Sequence, residues 1–254
     1  MLSASKFLPE AGWPSFSTQV FRTGWHTPCR LHLTTAFIVG GVGAWHLLRE
    51  RTNLRARIMF SVAMLMATLV APLQIVLGDL HGLNTLEHQP AKVMAMEGHY
   101  QSHPNGAPLI LFGIPNSAEN RIDYAIQIPK ASSLLLKHDL NAPLAGLDTV
   151  PAENRPPAGI VFWSFRIMVG LGMLIATLGV LSLYARVKGR LYDSRLLHRF
   201  ALAMGPSGLM AVLAGWVATE VGRQPWTIYG LMRPPIRPRR WRPRPSRLCW
   251  SRSC

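Results

Sequence analysis

The sequence predicts an all-α membrane protein with about four transmembrane helices and a long non-cytoplasmic loop between the second and third. Hydrophobic residues make up 49% of its 254 residues and charged residues only 15%, which is unlike an ordinary soluble domain. The apolar residues form continuous runs without the period-two alternation of a membrane barrel. Helices are therefore expected to cross the membrane.

Four apolar segments approach the roughly 20 residues that a helix needs to span the hydrocarbon core. They cover about residues 26–48, 58–77, 159–184 and 200–220. Pro28 lies near the start of the first segment, where a first helical turn tolerates proline. Residues 1–25 contain no continuous apolar core, so we expect an irregular N-terminal segment and no signal peptide.

The connections predict the orientation in the membrane. Residues 49–57 and 185–199 are short and rich in arginine, and both fall on one side if all four helices cross. That side is expected to be cytoplasmic. The long connection, about residues 78–157, then lies on the opposite face. It is too long to be a simple connector, so we expect it to be functional.

The tail, residues 233–254, contradicts this orientation. It carries eight arginines among prolines, yet it would emerge on the non-cytoplasmic face. A basic tail could bind anionic lipid or nucleic acid. Arginine–proline low complexity after a well-formed motif also indicates a disordered segment or translation in a shifted frame. We expect the second interpretation, and no nucleic-acid partner.

The third segment places Arg166 and Met168 in an apolar run, where an arginine is costly unless a polar group receives it. Met168 lies about 15 Å into its helix at 1.5 Å per residue. With this topology His26, Met168 and Glu220 can all lie in the outer half of the membrane. Histidine and methionine form an axial pair for low-spin haem iron, and Glu220 could bind a second metal centre or relay protons. Taken singly, each residue also fits a packing or interfacial role.

Four motifs in order resemble subunit I of the cytochrome bd ubiquinol oxidases, close to the cyanide-insensitive branch. They are AKVMAMEGHY at residues 91–100, LFGIPN at 111–116, FWSFRIMVG at 162–170 and AGWVATEVGRQPW at 214–226. GRQPW is highly characteristic of that family. The resemblance covers about residues 25–233, and it implies that residues 26–232 are part of the family's membrane domain with a quinol loop at about 78–157.

The resemblance also implies haem ligands. Met168 matches the methionine ligand of the low-spin haem b, and Arg166 matches the arginine that supports it. His26 stands eight residues before Thr34 of the LTTAF motif, as the family's histidine ligand does, although Pro28 and Arg30 depart from the family's apolar helix.

The fourth segment and the loop match further functional residues of the family. Glu220 matches an axial ligand of the high-spin haem b, with Trp216 and Arg223 beside it. Lys92 and Glu97 keep the separation of the lysine and glutamate implicated in ubiquinol binding. A carboxylate can accept a quinol proton and an ammonium can hold the quinol oxygen.

The implied function is oxidation of ubiquinol at the outer loop, with electrons passing through haem b centres toward oxygen in aerobic respiration. Subunit II, ubiquinol, oxygen and the bilayer are the implied partners, in a bacterial inner membrane. The helices that carry the family's haem d ligands precede the matching region, so this chain is expected to lack them. The alternative is a truncated membrane remnant that assembles no working oxidase.

The other histidines are expected to have ordinary roles. His99 and its neighbours in the loop are expected to be solvated or interfacial, and His198 a surface charge partner. The sequence contains no recognisable zinc spacing, glycine-rich phosphate cradle or nucleophile elbow.

Overall fold

Four helical stretches in the described part of the chain are long and apolar enough to cross a membrane, which confirms the predicted fold class. The computed structural model describes residues 13–116, 119–227 and 233, and of residues 13–26 it describes the backbone alone. The long loop between the second and third spans adds one two-stranded hairpin, which the sequence analysis did not predict.

The main elements follow each other in one continuous series. They are α1 (Trp13–Arg49), α2 (Leu54–His88), α3 (Pro90–Glu97), β1 (Leu109–Asn116), β2 (Arg121–Ile128), α4 (Ala131–Lys137), α5 (Ala158–Val187), α6 (Arg195–Ala203) and α7 (Ser207–Gly222). Side chains cap two of the helix starts: Asn53 accepts from the Ala56 N–H at the start of α2, and Ser194 accepts from the Leu197 N–H at the start of α6.

Two predicted boundaries are wrong. Residues 13–25 were expected to be irregular but form the first part of α1, and the remaining residues, 1–12, lie outside the described part. The second helix continues to His88, so the loop begins at Gln89 and not at residue 78. The fourth predicted segment is confirmed as one candidate span, Arg195–Gly222. Within it the helix is interrupted at residues 204–206, between α6 and α7, because Pro206 lacks the N–H that would continue the ladder.

The membrane helices form a ring. Helix α1 packs on α2, α6 and α7, while α5 packs on α2 and α7. Helices α1 and α5 therefore lie diagonally across the bundle. Its buried core is built mainly from Phe37 of α1, Phe60 and Met64 of α2, and Leu178 of α5. His198 of α6 lies in this core too: it is 1% exposed, its Nε2–H donates to the Leu191 carbonyl, and the prediction of a surface charge partner is wrong.

Helices α1 and α7 approach each other closely at Gly208. A Cβ atom added there would lie 2.7 Å from the Thr34 Cα, a backbone atom that cannot move independently. Gly208→Ala is therefore expected to cost about 1–3 kcal/mol through overpacking. The thermal midpoint of the detergent-solubilised chain should fall. Gly172→Ala in α5 is the control, because a Cβ there meets nothing within 4 Å, and it should leave the midpoint unchanged or raised. An equal response of the two variants would contradict this packing.

The loop folds back onto the outer part of α5. Met94, Ala95, Tyr100 and Leu147 from the loop pack with Val161 of α5 and its neighbours in a second buried cluster. The hairpin β1–β2 is antiparallel. Phe112 of β1 meets Trp163 of α5 edge to face, with ring centroids 5.3 Å apart. These contacts place helix α3, which carries Lys92 and Glu97, against the membrane bundle.

Candidate functional site

Helix α3 is a short, sharply bounded helix that positions both predicted quinol-binding residues. Pro90 stands in its first turn, and Gly98 ends it in the left-handed conformation with φ 78°. A Cβ on Gly98 would lie 2.4 Å from Ile122 Cδ1 and 3.0 Å from the Phe162 ring. Glycine is required there on both grounds, because the backbone turns left-handed and the neighbours leave no room.

Arg166 joins α5 to the end of α3. Its Nη1 donates to the Met96 carbonyl at 2.8 Å and its Nη2 to the Glu97 carbonyl at 3.3 Å. The Glu97 carboxylate lies 3.7 Å from Nη2, and the guanidinium stacks 4.3 Å from the centroid of the Phe162 ring. Both charged side chains are nearly buried, at 12% and 10% exposed. A positive charge is costly in an apolar helix, and here the carbonyl end of α3 and the Glu97 carboxylate compensate the charge of Arg166.

The Glu97 carboxyl group is poised to hold a proton. Its Oε2 is buried and has no hydrogen bond among the described residues. The negative charge of the carboxylate is therefore compensated through its ion pair with Arg166. Burial raises the pKa of the Glu97 carboxyl, and the positive charge of Arg166 opposes that rise. The group can therefore take up a proton at a higher pH than an exposed glutamate.

Lys92 contacts a different membrane helix. It is 7% exposed, and its side chain lies against Gly222 of α7, where an added Cβ would be 2.9 Å from Lys92 Cγ. Burial lowers the pKa of the Lys92 ammonium, the charge of Arg223 lowers it further, and Glu220 opposes both. Five residues apart on a helix, Lys92 and Glu97 lie about 140° apart around the axis. Lys92 therefore faces α7 and Glu97 faces α5, and the two side chains do not form an ion pair with each other.

Met168 lies at the contact between α5 and α7. A Cβ on Gly215 would be 2.7 Å from its Sδ, so a glycine in α7 provides the room for the thioether. His26, its predicted counterpart, belongs to α1 across the bundle, but its side chain lies outside the described residues. Met168 is half-buried, and Arg166 stands two residues before it on the same helix.

Glu220 forms an ion pair with Arg223 at the end of α7, because residues three apart on a helix lie on one face. The two side chains are 45% and 40% exposed. Trp216, one turn before Glu220, is 61% exposed, whereas Gly215, Ala218 and Gly222 face the other helices. Trp216 and the ion pair thus lie on the outer side of α7.

The comparison with known proteins decides the family. The family model of cytochrome bd terminal oxidase subunit I matches residues 12–235. The chain belongs to this family. Haem cofactors and a respiratory oxidoreductase assembly are properties of the family.

Individual relatives agree. Cytochrome bd ubiquinol oxidase subunit 1 of Bacillus subtilis (strain 168) is 35% identical over 211 residues, which cover 78% of this chain and 44% of that protein. Cytochrome bd-II ubiquinol oxidase subunit 1 of Escherichia coli (strain K12) is 27% identical, covering 82% and 53%. The chain spans about half the length of these relatives.

A solved structure shares the fold. The bd oxidase from Geobacillus thermodenitrificans superposes with a TM-score of 0.74 at 31% sequence identity. The match covers 82% of this chain and 48% of that one. The cytochrome bd subunit I fold therefore extends over most of this chain.

Sequence reasoning missed His99. It was expected to be solvated or interfacial, but it is 3% exposed and its Nε2–H donates to the Pro108 carbonyl at 2.9 Å. Burial lowers the pKa of the His99 imidazole to about 4, against an opposing effect of the Pro108 hydrogen bond. Its position two residues after Glu97 is the one signal in the sequence that could have drawn attention to it.

The loop is expected to lose stability as the pH falls from about 6.5 to about 4. Across this window the unfolded chain binds a proton at residue 99 and the folded loop does not, so acid favours unfolding. The effect amounts to at most about 3 kcal/mol at 1.36 kcal/mol per pH unit. Glu97, with its raised pKa, acts in the opposite sense, because its contribution is lost as the pH rises.

Hydrogen exchange of the amides of residues 94–100, corrected for the intrinsic effect of pH, measures this loss. His99→Gln should flatten the dependence between pH 6.5 and 4, whereas His138→Asn, at an exposed position of the same loop, should retain it. A wild-type profile without this loss would contradict the neutral, buried imidazole.

Proposed function

We propose that this chain is part of a terminal quinol oxidase, which oxidises ubiquinol at the loop between α2 and α5 and delivers its electrons toward oxygen. The observation that carries the proposal is the position of Arg166. This residue binds the end of α3 beside Glu97 and stands two residues before Met168 on α5. One side chain thus connects the helix proposed to bind quinol with the helix proposed to hold haem.

His26 and Met168 would hold a low-spin haem b, and Glu220 a high-spin haem b with Trp216 and Arg223 beside it. Glu220 and Trp216 lie on the outer side of α7, and Glu220 is paired with Arg223 there. Two observations support the first site. Helices α1 and α5 lie diagonally across the bundle, and the Met168 thioether lies over a glycine of α7. Among the described residues no cluster of three or more His, Cys, Asp or Glu side chains could hold a metal ion; a haem that is held by one or two single side chains would need no such cluster. When bound, haem b supplies the one-electron acceptors that quinol oxidation requires.

Residues of the loop would bind the quinol and accept a proton from it. Oxidation of a quinol to a quinone releases two electrons and two protons. Glu97 would accept a proton from a quinol hydroxyl, because burial raises its pKa and its Oε2 has no hydrogen bond among the described residues. Lys92 would hold a quinol oxygen as its negative charge develops. Arg166 keeps Glu97 in place and compensates its charge before protonation.

The full assembly extends beyond this chain. We place the chain in a bacterial inner membrane as a multi-pass subunit, with the loop on the non-cytoplasmic face and subunit II as its protein partner. Haem d, expected for the family, would take its ligands from outside the residues matched here. Residues 26–232 form the proposed membrane domain, and of the tail, residues 233–254, only Arg233 lies in the described part.

A second candidate is a membrane chain that inserts without assembling haem, which the ion pair of Glu220 with Arg223 favours because it occupies the carboxylate. A reduced-minus-oxidised spectrum of the purified chain distinguishes the two. A low-spin b-type signal is expected if the chain holds haem through His26 and Met168. A spectrum without any b-type signal, from a chain that is folded in detergent, would refute the oxidase proposal for this chain.

A further inference from the structure

A groove runs along the surface of the bundle, between α1 and the break that separates α6 from α7. Its volume is about 560 Å³, within the roughly 300–1,000 Å³ of small-molecule sites. Gly41 of α1 and Gly205 form its floor, since a Cβ on Gly41 would lie 3.1 Å from the Gly205 Cα. Its walls are large apolar side chains that are 38–50% exposed, namely Ile38, Val42, Trp45, Leu202 and Leu209.

The groove has the length of a lipid chain in one leaflet. Its lining residues on α1 extend from Ile38 to His46, which is about 12 Å at 1.5 Å per residue. One leaflet contributes about 15 Å, half of the hydrocarbon core. Both helical stretches that form the groove are long and apolar enough to cross a membrane. An acyl chain that lies in the groove would therefore be lined by protein over most of the leaflet.

One end of the groove carries two positive charges. The Arg49 guanidinium lies 3.9 Å from the centroid of the Trp45 ring, which belongs to the wall. Arg199 stands one turn before Leu202 on α6 and therefore lies on the same face of that helix. Both arginines are exposed, and neither forms an ion pair with a carboxylate in the described part of the chain. Their guanidinium groups are available to an anion.

The whole of this end of the bundle is basic. The two short connections, residues 49–57 and 185–199, carry nine arginine and lysine residues and only two acids, Glu50 and Asp193. This is the side that the sequence predicts to be cytoplasmic, and basic pockets between membrane helices on that side bind anionic lipid headgroups. A second copy of this chain would bring the same excess of positive charge to the groove, so the charge favours an anionic lipid over a second copy.

We propose that the groove binds one anionic phospholipid, with an acyl chain along its apolar walls and the phosphate between Arg49 and Arg199. Guanidinium groups suit this role because their paired N–H donors match phosphate oxygens. Trp45 and His46 each add a ring N–H at the level of the headgroup, where tryptophan is enriched in membrane proteins. The groove contains none of the residues proposed to hold quinol or haem, so this binding site goes beyond the proposed function.

The test titrates the full chain in detergent with phosphatidylglycerol or with phosphatidylcholine of the same acyl chains, and native mass spectrometry measures the affinity for the first lipid bound. Wild type should bind phosphatidylglycerol about tenfold or more tightly than phosphatidylcholine. Arg49→Gln/Arg199→Gln should lose this preference. Arg55→Gln/Arg190→Gln is the matched control and should keep it, because it removes two exposed arginines of the same basic end from α2 and from the α5–α6 connection, which contribute no residue to the groove.

A second pair of variants tests the place of the acyl chain. Val42→Trp fills the groove from a position that is 44% exposed, so it should weaken the binding of phosphatidylglycerol about tenfold or more without disturbing the buried core. Val62→Trp puts the same ring on α2, at a position that is 60% exposed and outside the groove, and it should leave binding unchanged.

Four results would overturn the lipid site. Wild type without a preference for phosphatidylglycerol excludes a site for an anionic headgroup. Equal losses in the two arginine pairs show that binding follows total charge and not the pair at the groove. Unchanged binding in Val42→Trp removes the acyl chain from the groove. A lipid-free dimer of the wild-type chain that Val42→Trp dissociates would make the groove an interface between two copies of the chain.

Discussion

Replacing Met168 by leucine is expected to abolish the low-spin b-type signal in the reduced-minus-oxidised spectrum of the chain. Leucine fills nearly the same volume as methionine, so the contact between α5 and Gly215 survives, but the thioether that would bind iron is lost. The loss should be complete, because the proposed low-spin haem b would be held by two side chains, His26 and Met168, and the variant would keep only one of them.

Met173→Leu is the matched control for this experiment. It lies on the same helix and is 60% exposed, away from the contact with α7. It should leave the spectrum unchanged. A low-spin signal of full intensity in Met168→Leu would show that another residue holds the haem, and would remove Met168 from the proposed site.

Replacing Arg166 by leucine is expected to release the loop from the membrane bundle. The substitution removes two hydrogen bonds to the end of α3 and leaves the buried Glu97 carboxylate without its opposite charge. Breaking a buried ion pair by removing one partner costs about 3–5 kcal/mol. Amides of residues 94–100 should therefore exchange with solvent about two or more orders of magnitude faster than in wild type.

Two further variants complete the Arg166 experiment. Arg186→Leu removes two hydrogen bonds from α5 to Ser61 of α2, and it should leave exchange in residues 94–100 unchanged. The double variant Arg166→Leu/Glu97→Leu removes both charges, so it should recover part of the loss. If Arg166→Leu leaves the loop as protected as wild type, Arg166 does not hold α3 in place.

Local sequence patterns were sufficient for the membrane helices. The third apolar segment was predicted at residues 159–184 and is found at Ala158–Val187, because a continuous apolar run between polar flanks has few alternatives to a helix. The predicted helix boundaries that are wrong lie where the run of apolar residues ends. Helix α2 continues through Asp79 and His81 to His88, and polar residues there give no local sign of whether the helix or the loop continues.

Family motifs identified residues but not their contacts. Lys92 and Glu97 were predicted together from their separation, yet each faces a different membrane helix. His99 was assigned to solvent because a histidine in a polar loop is usually exposed, whereas the packing of the loop on α5 buries it. Such burial depends on segments far apart in the chain, so no local window of sequence contains the information.

The sequence by itself determined that the chain forms four apolar helical spans, that its membrane portion belongs with cytochrome bd subunit I, and that an arginine and a methionine stand in the third span. Hydropathy and motif spacing are local properties, and they suffice for those conclusions. Only the tertiary structure decided what Arg166 binds and that His99 is buried. The partner of Arg166 lies some 70 residues away in the chain, and the desolvation of a buried charge or imidazole depends on everything packed around it.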